Sequence, residues 1–258
     1  EIDRIHRIET NVTYFSLPEE DFGALVRRTT ITNLDQQQSL ELSVLDGLAR
    51  IEPAGGRLNE LLKNMGRTLE AWMGVYQASN DGNITMPYYK MSTETADTAA
   101  VKIQHAGHYC LAFVEDHTHS TSSSSSQLLP IVYDTSKVFG NDTMMLYPVA
   151  MNTKTVREII GEEQYGFAET SSAFAAVDKV TIEPGKSITI ASFYGLADHI
   201  TDVPTISHRI TANGFVQYKF SRAREIIQQI NNNAETSTKN DLFNGLVSQM
   251  FMDNSIRG

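Results

Sequence analysis

The fold class is decided by the stretch from Val180 to Ile190, which reads VTIEPGKSITI. Pro184 fixes its own φ and Gly185 supplies the positive φ of a type II turn, so a tight turn is predicted at the centre. On both sides of that turn an apolar residue stands at every second position, which is the period of a half-buried strand. The pattern predicts a β-hairpin, and its apolar residues share one face: Val180, Ile182, Ile188 and Ile190.

The residues before this stretch repeat the strand-and-turn pattern. Apolar and polar residues alternate strictly from Ser39 to Val44, and the run from Gly23 to Thr32 is rich in β-prone types, so a second hairpin is predicted around residues 34–37. Short strands at this spacing are typical of an antiparallel sandwich, and their number favours a large, mainly β, two-sheet sandwich. The other predicted strands are 12–17, 68–77, 88–93, 100–103, 109–114 and 174–177.

The last quarter of the chain changes from the strand period to the helix period. Apolar residues from Val216 to Ile230 fall on one face of an amphipathic helix. Asp241 is the predicted N-cap of a second helix, whose apolar stripe is too wide for its neighbour alone to cover. We therefore expect a β-sandwich domain over residues 1–213 and a helical segment over 214–258. Shorter helices are predicted at 58–63 and 155–160, and a serine-rich surface loop at 120–127.

Composition and charge disfavour several classes of function. The 258 residues carry 31 acidic and 21 basic side chains, a formal net charge of −10, and an acidic chain does not attract nucleic acid or anionic membrane surfaces. No apolar run approaches the roughly twenty residues of a membrane span, and we expect a cytoplasmic protein. The single cysteine, Cys110, cannot form an internal disulfide, and its apolar neighbours predict a buried core residue.

The titratable residues form no catalytic pattern. His105 with His108, and His117 with His119, have spacings that metal ligands use, but no further ligand stands at a supporting spacing. Paired carboxylates run glycoside chemistry, yet the acidic clusters here are sequence neighbours and are expected to be solvated. Nucleophile-elbow and phosphate-loop motifs do not occur in the sequence. We expect no catalytic residue, no metal and no cofactor. The acidic clusters are Glu19–Asp21, Glu115–Asp116 and Glu162–Glu163.

Four aromatic residues lie close together on predicted strands: Trp72, Tyr76, Tyr88 and Tyr89. Aromatic faces stack on sugar rings, so these residues are candidates for carbohydrate binding. Core and cross-strand packing is the competing interpretation, and it is the commoner role of aromatic residues on strands.

Several strings, in their order along the chain, resemble one enzyme family. They are YFSLPEE at 14–20, FGALVRR at 22–28, LSVLDGL at 42–48, NMG at 64–66, AWM at 71–73, AGHY at 106–109 and DNSIRG at 253–258. The first strings resemble the opening of the amino-terminal sandwich in glycoside hydrolase family ninety-four, and the set is most similar to the 1,2-β-oligoglucan phosphorylases. The last string resembles the junction at which linker helices lead into a helical barrel. The β-1,3-glucan phosphorylases share this plan.

The resemblance implies a galactose-mutarotase-like supersandwich with linker helices, and a catalytic (α/α)₆ barrel that would follow Gly258. Family members cleave a β-glucosidic bond with inorganic phosphate as a substrate and release glucose 1-phosphate, with a barrel aspartate as general acid. No catalytic residue of the family maps onto this chain. The implied partners are the barrel and a β-glucan oligosaccharide, and a homo-oligomer is a further option. The candidate barrel-docking residues are Leu242, Phe243, Leu246, Met250 and Phe251.

Three functions stay open at this point. The first is a non-catalytic scaffold domain of a glycoside phosphorylase. The second is an independent carbohydrate-binding module, based on the four aromatic residues. The third is a mutarotase or epimerase, which needs a histidine and a carboxylate converging on a concave sheet face. The histidine candidates for that chemistry are His105, His108 and His199.

Overall fold

The computed structural model describes residues 1–53, 63, 66–78, 86–94, 99–115, 126–233 and 236–257. These residues form two antiparallel sheets, of seven and three strands, together with five α-helices. The prediction of a mainly β, antiparallel fold is confirmed. The predicted helix at 58–63 and the predicted serine-rich loop at 120–127 fall largely outside the described residues.

The larger sheet has the strand order β1-β2-β3-β10-β7-β6-β5, and the smaller sheet has the order β4-β9-β8. All strand pairs are antiparallel. The strands of the larger sheet are β1 Ile2–Asp3, β2 Ile8–Ser16, β3 Gly23–Asn33, β5 Met73–Gln77, β6 Pro87–Met91, β7 Gly107–Glu115 and β10 Ser187–Ala197. Those of the smaller sheet are β4 Leu40–Ile51, β8 Ile131–Val132 and β9 Ser171–Ile182.

The two sheets face each other across a shared apolar cluster, in which Cys110 and Ile190 of the larger sheet meet Ala175 and Val177 of the smaller one. The opposite face of the larger sheet is covered by helices α3 (Val203–Ile210) and α4 (Phe215–Asn232). The outer face of the smaller sheet packs on helices α1 (Thr135–Phe139) and α2 (Val156–Gly161). A fifth helix, α5 (Asp241–Arg257), contacts α4.

Neither predicted hairpin forms, although the turn at Pro184 and Gly185 is present. The Lys186 N–H donates to the Glu183 carbonyl at 3.0 Å and Gly185 has a φ of +66°, as the turn chemistry requires. The arms on either side nevertheless enter different sheets, because β9 pairs with β4 and β8 whereas β10 pairs with β3 and β7. The connection from β3 to β4 also crosses between the sheets. The apolar residues of the two arms therefore meet across the interior, with Ile182 and Ile190 both buried.

Asn33 holds these two crossovers together at one end of the molecule. Its buried side-chain amide donates to the carbonyl of Gln38 at 2.8 Å, on the first crossover, and to the carbonyl of Ile182 at 3.0 Å, at the second. The Oδ1 atom accepts from the Asp35 N–H at 2.9 Å, and the Asn33 N–H donates to the Lys186 carbonyl at 2.9 Å. One side chain thus satisfies polar backbone groups that burial would otherwise leave unpaired.

Two predicted strands need correction. The first half of the predicted strand at 68–77 is a 3₁₀ helix, Gly66–Trp72, and the strand begins only at Met73. Residues 100–103 contribute an isolated bridge between Thr93 and Ile103 in place of a strand.

Helices form in the described segments where the sequence predicts them at 155–160 and after 214. Helix α2 has a capping box, in which Thr155 Oγ1 accepts from the Glu158 N–H and the Glu158 carboxylate accepts from the Thr155 N–H at 2.7 Å. Helix α4 has the predicted amphipathic character, with Val216 buried on its inner face. The prediction of Asp241 as the N-cap of α5 is wrong. The N-cap is Asn240, whose Oδ1 atom accepts hydrogen bonds from the backbone N–H groups of the first turn. Helix α3, which the sequence patterns did not predict, precedes these two helices.

Candidate functional site

Helix α5 presents an apolar stripe to solvent. Leu242, Leu246 and Met250 stand four residues apart, so they lie on one face of the helix, and all three are exposed. Leu242 is the extreme case, with 87% of its surface open. Phe243 beside them is also exposed and Phe251 is half-buried. These are the five residues that sequence analysis selected as barrel-docking candidates.

Side-chain hydrogen bonds cap the amino-terminal end of α5. Asn240 Oδ1 accepts from the N–H groups of Leu242 at 3.1 Å and Phe243 at 3.2 Å, which caps two of the four free donors of the first turn. Asn244 and Thr238 exchange hydrogen bonds, with Thr238 Oγ1 donating to Asn244 Oδ1 at 2.8 Å and Asn244 Nδ2 donating to the Thr238 carbonyl at 3.1 Å. The apolar stripe therefore starts from a fixed helix end.

A cluster of ion pairs anchors α4 to the loop after β2. Lys219 is almost fully buried and lies 2.6 Å from Glu20, whose side chain is equally buried, and its Nζ also donates to the Pro18 carbonyl at 2.9 Å. Arg222 makes a bidentate contact with Glu19, which lowers the pKa of that carboxyl through hydrogen bonding. The cluster fixes the helix from which α5 follows.

The buried tyrosines among the sugar-binding candidates lack an open ring face. Tyr88 and Tyr89 lie in the two core clusters on opposite faces of the larger sheet. The hydroxyl of Tyr88 donates to the Ala197 carbonyl at 2.7 Å, and that of Tyr89 donates to the Ser172 carbonyl at 2.9 Å. Burial raises the pKa of Tyr88 to about 12. Cross-strand and core packing therefore accounts for these two residues.

Trp72 and Tyr76 are half-buried and have different neighbours. Trp72 ends the 3₁₀ helix and packs against the small cluster that includes Leu69 and Met91. Tyr76 lies on β5, and its ring meets the ring of Phe167 edge to face, with centroids 5.4 Å apart.

An exposed aromatic group occupies the β5 end of the larger sheet, and we call Tyr76, Tyr165 and Phe167 the aromatic face. The Tyr165 and Phe167 rings approach edge to face with centroids 6.3 Å apart. Tyr165 is 60% exposed and Phe167 is 46% exposed. Sequence analysis missed both residues because the segment 165–168 is distant from β5 in sequence. The available signal was the Tyr–Gly–Phe run at 165–167, in which two aromatic residues flank a glycine.

No protein-family model matches the chain, and no curated protein matches it significantly. Helices in the described ranges are all too short or too polar to cross a bilayer.

Two of the candidate histidines, His105 and His199, lie near each other in the fold. The rings of His105 and His199 lie 5.9 Å apart, while the Asp202 carboxylate accepts from the backbone N–H of His199. His108 is partly buried, and burial lowers its pKa. His117 and His119 lie outside the described residues. Within the described part of the chain, no three His, Cys, Asp or Glu side chains form a group suited to a metal ion.

The acidic clusters contribute ion pairs to the framework. Glu115 makes a bidentate contact with Arg28, at 2.7 and 2.8 Å. Glu162 pairs with Lys137 at 2.8 Å and with Lys154 at 2.5 Å, and these two partners lower its pKa to about 2. Glu162 is therefore held ionised and is unsuited to act as a general acid near neutral pH.

Cys110 is fully buried in the cluster between the sheets, as predicted. Burial raises the pKa of its thiol, so the reactive thiolate is suppressed.

Proposed function

We propose that the chain is a non-catalytic scaffold domain of a glycoside phosphorylase. The parent enzyme would cleave a β-glucan oligosaccharide with inorganic phosphate to yield glucose 1-phosphate, with the catalytic groups in an (α/α)₆ helical barrel. The domain's role would be to dock and brace that barrel. The order of the family-like strings along the chain supports this assignment. A galactose-mutarotase-like supersandwich and a cytoplasmic location are parts of the same proposal.

The observation that carries the proposal is the exposed stripe on α5. Completely burying one leucine or methionine side chain contributes about 1.5–3 kcal/mol, and Leu242, Leu246 and Met250 leave most of that unrealised. Contiguous exposed apolar residues on a capped helix are typical of a protein–protein interface. The stripe ends directly before residues 253–258, where the family resemblance places the junction with the barrel, so the barrel is the partner we assign to it.

The charged side chains support a framework role. Glu20, Glu115 and Glu162 are each paired with Lys or Arg at hydrogen-bond distance. Such pairs position helices and loops, and the lowered pKa of Glu162 leaves that carboxylate unsuited to donate a proton to a glycosidic oxygen near neutral pH. The proposal therefore assigns no catalytic residue in this chain.

The test is complex formation with an isolated helical barrel of a 1,2-β-oligoglucan phosphorylase, measured by sedimentation velocity. We expect a 1:1 complex with the wild-type chain and at least tenfold weaker binding by the double variant L242S/L246S. Leu146, an equally apolar and exposed residue beside α1 and α2, provides the matched control, and L146S should bind like the wild type.

Circular dichroism establishes that each chain is folded before mixing. Since both leucines on α5 are exposed, their replacement by serine should leave the thermal midpoint within about 2 °C of the wild type. Absence of a complex, or equal binding by wild type and L242S/L246S, would overturn the docking role.

A further inference from the structure

We propose that the aromatic face of Tyr76, Tyr165 and Phe167 binds a neutral oligosaccharide, whose pyranose rings stack on Phe167 and Tyr165. This site is separate from the α5 stripe and does not depend on the docking proposal. It differs from the set of four aromatic residues selected from sequence, because Tyr88 and Tyr89 are buried and two new rings take part.

The backbone of β5 leaves room for the Phe167 ring. The segment 165–168 runs beside β5, with the Val75 N–H donating to the Gly166 carbonyl at 2.7 Å and the Ala168 N–H donating to the Met73 carbonyl at 2.9 Å. Phe167 thereby lies over Gly74, where a Cβ atom would come within 2.9 Å of its ring. A glycine on the strand is what lets the ring approach the backbone this closely.

Hydrogen bonds hold the segment 164–168 in place while the Tyr165 and Phe167 rings are exposed. Gln164 Oε1 accepts from the Tyr133 N–H at 2.7 Å and its Nε2 donates to the Ile131 carbonyl at 3.1 Å. The Tyr165 N–H donates to Asp134 at 3.0 Å, and Ala168 adopts a φ of +58°, a strained value for a residue with a side chain. Fixed, exposed aromatic rings lose little conformational entropy on binding a ligand.

The charge around the aromatic face favours a neutral ligand. Asp134 accepts from the Tyr165 N–H beside the face, and the chain carries a net charge of −10, so a polyanion is repelled. A neutral sugar brings an apolar C–H face for the rings and hydroxyl oxygens that accept from an ammonium group.

A polar rim completes the site. Lys90 Nζ lies 4.5 Å from the centroid of the Tyr76 ring and donates to the Gln104 carbonyl at 3.0 Å. An ammonium group has three donors, so Lys90 has further N–H groups for a sugar hydroxyl or ring oxygen. The combination of exposed rings with an ammonium donor at their edge fits a carbohydrate better than an aliphatic protein surface.

The experiment is calorimetric titration of the whole chain with β-1,2-, β-1,3- and β-1,4-linked glucotetraoses, with oligouridylate as the anionic comparison. We expect saturable binding of at least one glucotetraose and none of oligouridylate. Tyr165→Ala and Phe167→Ala should each weaken the sugar affinity by about tenfold. Tyr218→Ala is the matched control, because Tyr218 is similarly exposed, at 61%, on α4.

Tyr165→Ala keeps the backbone N–H that contacts Asp134, so it tests the site even where Phe167→Ala disturbs the strand. Saturation-transfer NMR on the bound sugar should place its C–H protons against aromatic rings in the wild type alone. The proposal is overturned by absence of binding to all three glucotetraoses at about 10 mM, an affinity of about −3 kcal/mol. It is equally overturned by unchanged sugar affinity in both ring variants, or by a loss that Tyr218→Ala shares. Retained sugar binding in L242S/L246S separates this site from the docking stripe.

Discussion

Replacing Asn33 with alanine should destabilise the fold more than any other single asparagine replacement on the first three strands. The side chain is 1% exposed and makes three hydrogen bonds, to the Gln38 carbonyl, the Ile182 carbonyl and the Asp35 N–H. Alanine removes all three hydrogen bonds and leaves the buried carbonyl of Ile182 without this donor. Both sheets are affected, because the two crossovers connect them.

The magnitude follows from the number of lost partners. A typical intramolecular hydrogen bond contributes about 1 kcal/mol net, so three amount to about 3 kcal/mol. For a chain of this size, each kcal/mol shifts the thermal midpoint by about 2–4 °C, which gives an expected loss of about 6–12 °C. Asn11 on β2 offers a matched control, since it is exposed and its only described side-chain contact is a long one with Thr13. Asn11→Ala should stay within about 0.5 kcal/mol of the wild type.

The assay is urea unfolding followed by far-ultraviolet circular dichroism and by tyrosine fluorescence, with coincident transitions required for a two-state treatment. A loss below about 1 kcal/mol for Asn33→Ala, or a loss equal to that of Asn11→Ala, would refute the reasoning. In that case the crossovers would be held by their own turns and not by the asparagine.

Three further predictions concern buried and paired groups. Lys219→Met should lower the free energy of unfolding by about 3 kcal/mol, because it leaves the buried carboxylate of Glu20 with Arg209 as its remaining cation. An unchanged midpoint of thermal unfolding would contradict this. Cys110 should resist a thiol reagent in the native protein and react at once in denaturant, since burial raises its pKa; rapid native labelling refutes it. The Glu162 pKa is lowered to about 2, so its contribution to stability is complete above about pH 4.5 and is lost as pH falls towards 2. Glu162→Gln should therefore reduce the dependence of the unfolding free energy on pH in that window. An unchanged pH dependence in the variant argues against the pairing.

Turns and helices could be predicted from the sequence, but the pairing of the strands could not. The proline–glycine turn after Glu183 forms as its residues require. However, a tight turn between two segments of alternating apolar and polar residues is compatible with two structures. The two strands can pair with each other in one sheet, or they can enter two facing sheets. The choice depends on non-local contacts, such as the bond from Asn33 to the Ile182 carbonyl 149 positions away. The helix stripe on α4 was easier, because its period is a local property.

The candidate sites divide in the same way. The α5 stripe could be selected from sequence because its leucines recur every four residues, and exposure of the whole stripe is what the structure adds. The aromatic face could not, because Phe167 reaches Tyr76 only through the pairing of residues 165–168 with β5. Alternating direction along β6 also places Tyr88 and Tyr89 in different cores, which adjacency in sequence does not reveal.

The most direct measurement of the central claim is reconstitution of phosphorylase activity from separate domains. Release of phosphate from glucose 1-phosphate is followed in the presence of a β-1,2-linked glucan acceptor. The scaffold account predicts no release by this chain alone, weak or no release by an isolated family barrel, and restored release when the two are mixed. Restoration should fail with L242S/L246S and persist with L146S. Turnover by the chain alone, or equal activity of the barrel with the wild-type chain and with L242S/L246S, would contradict the account.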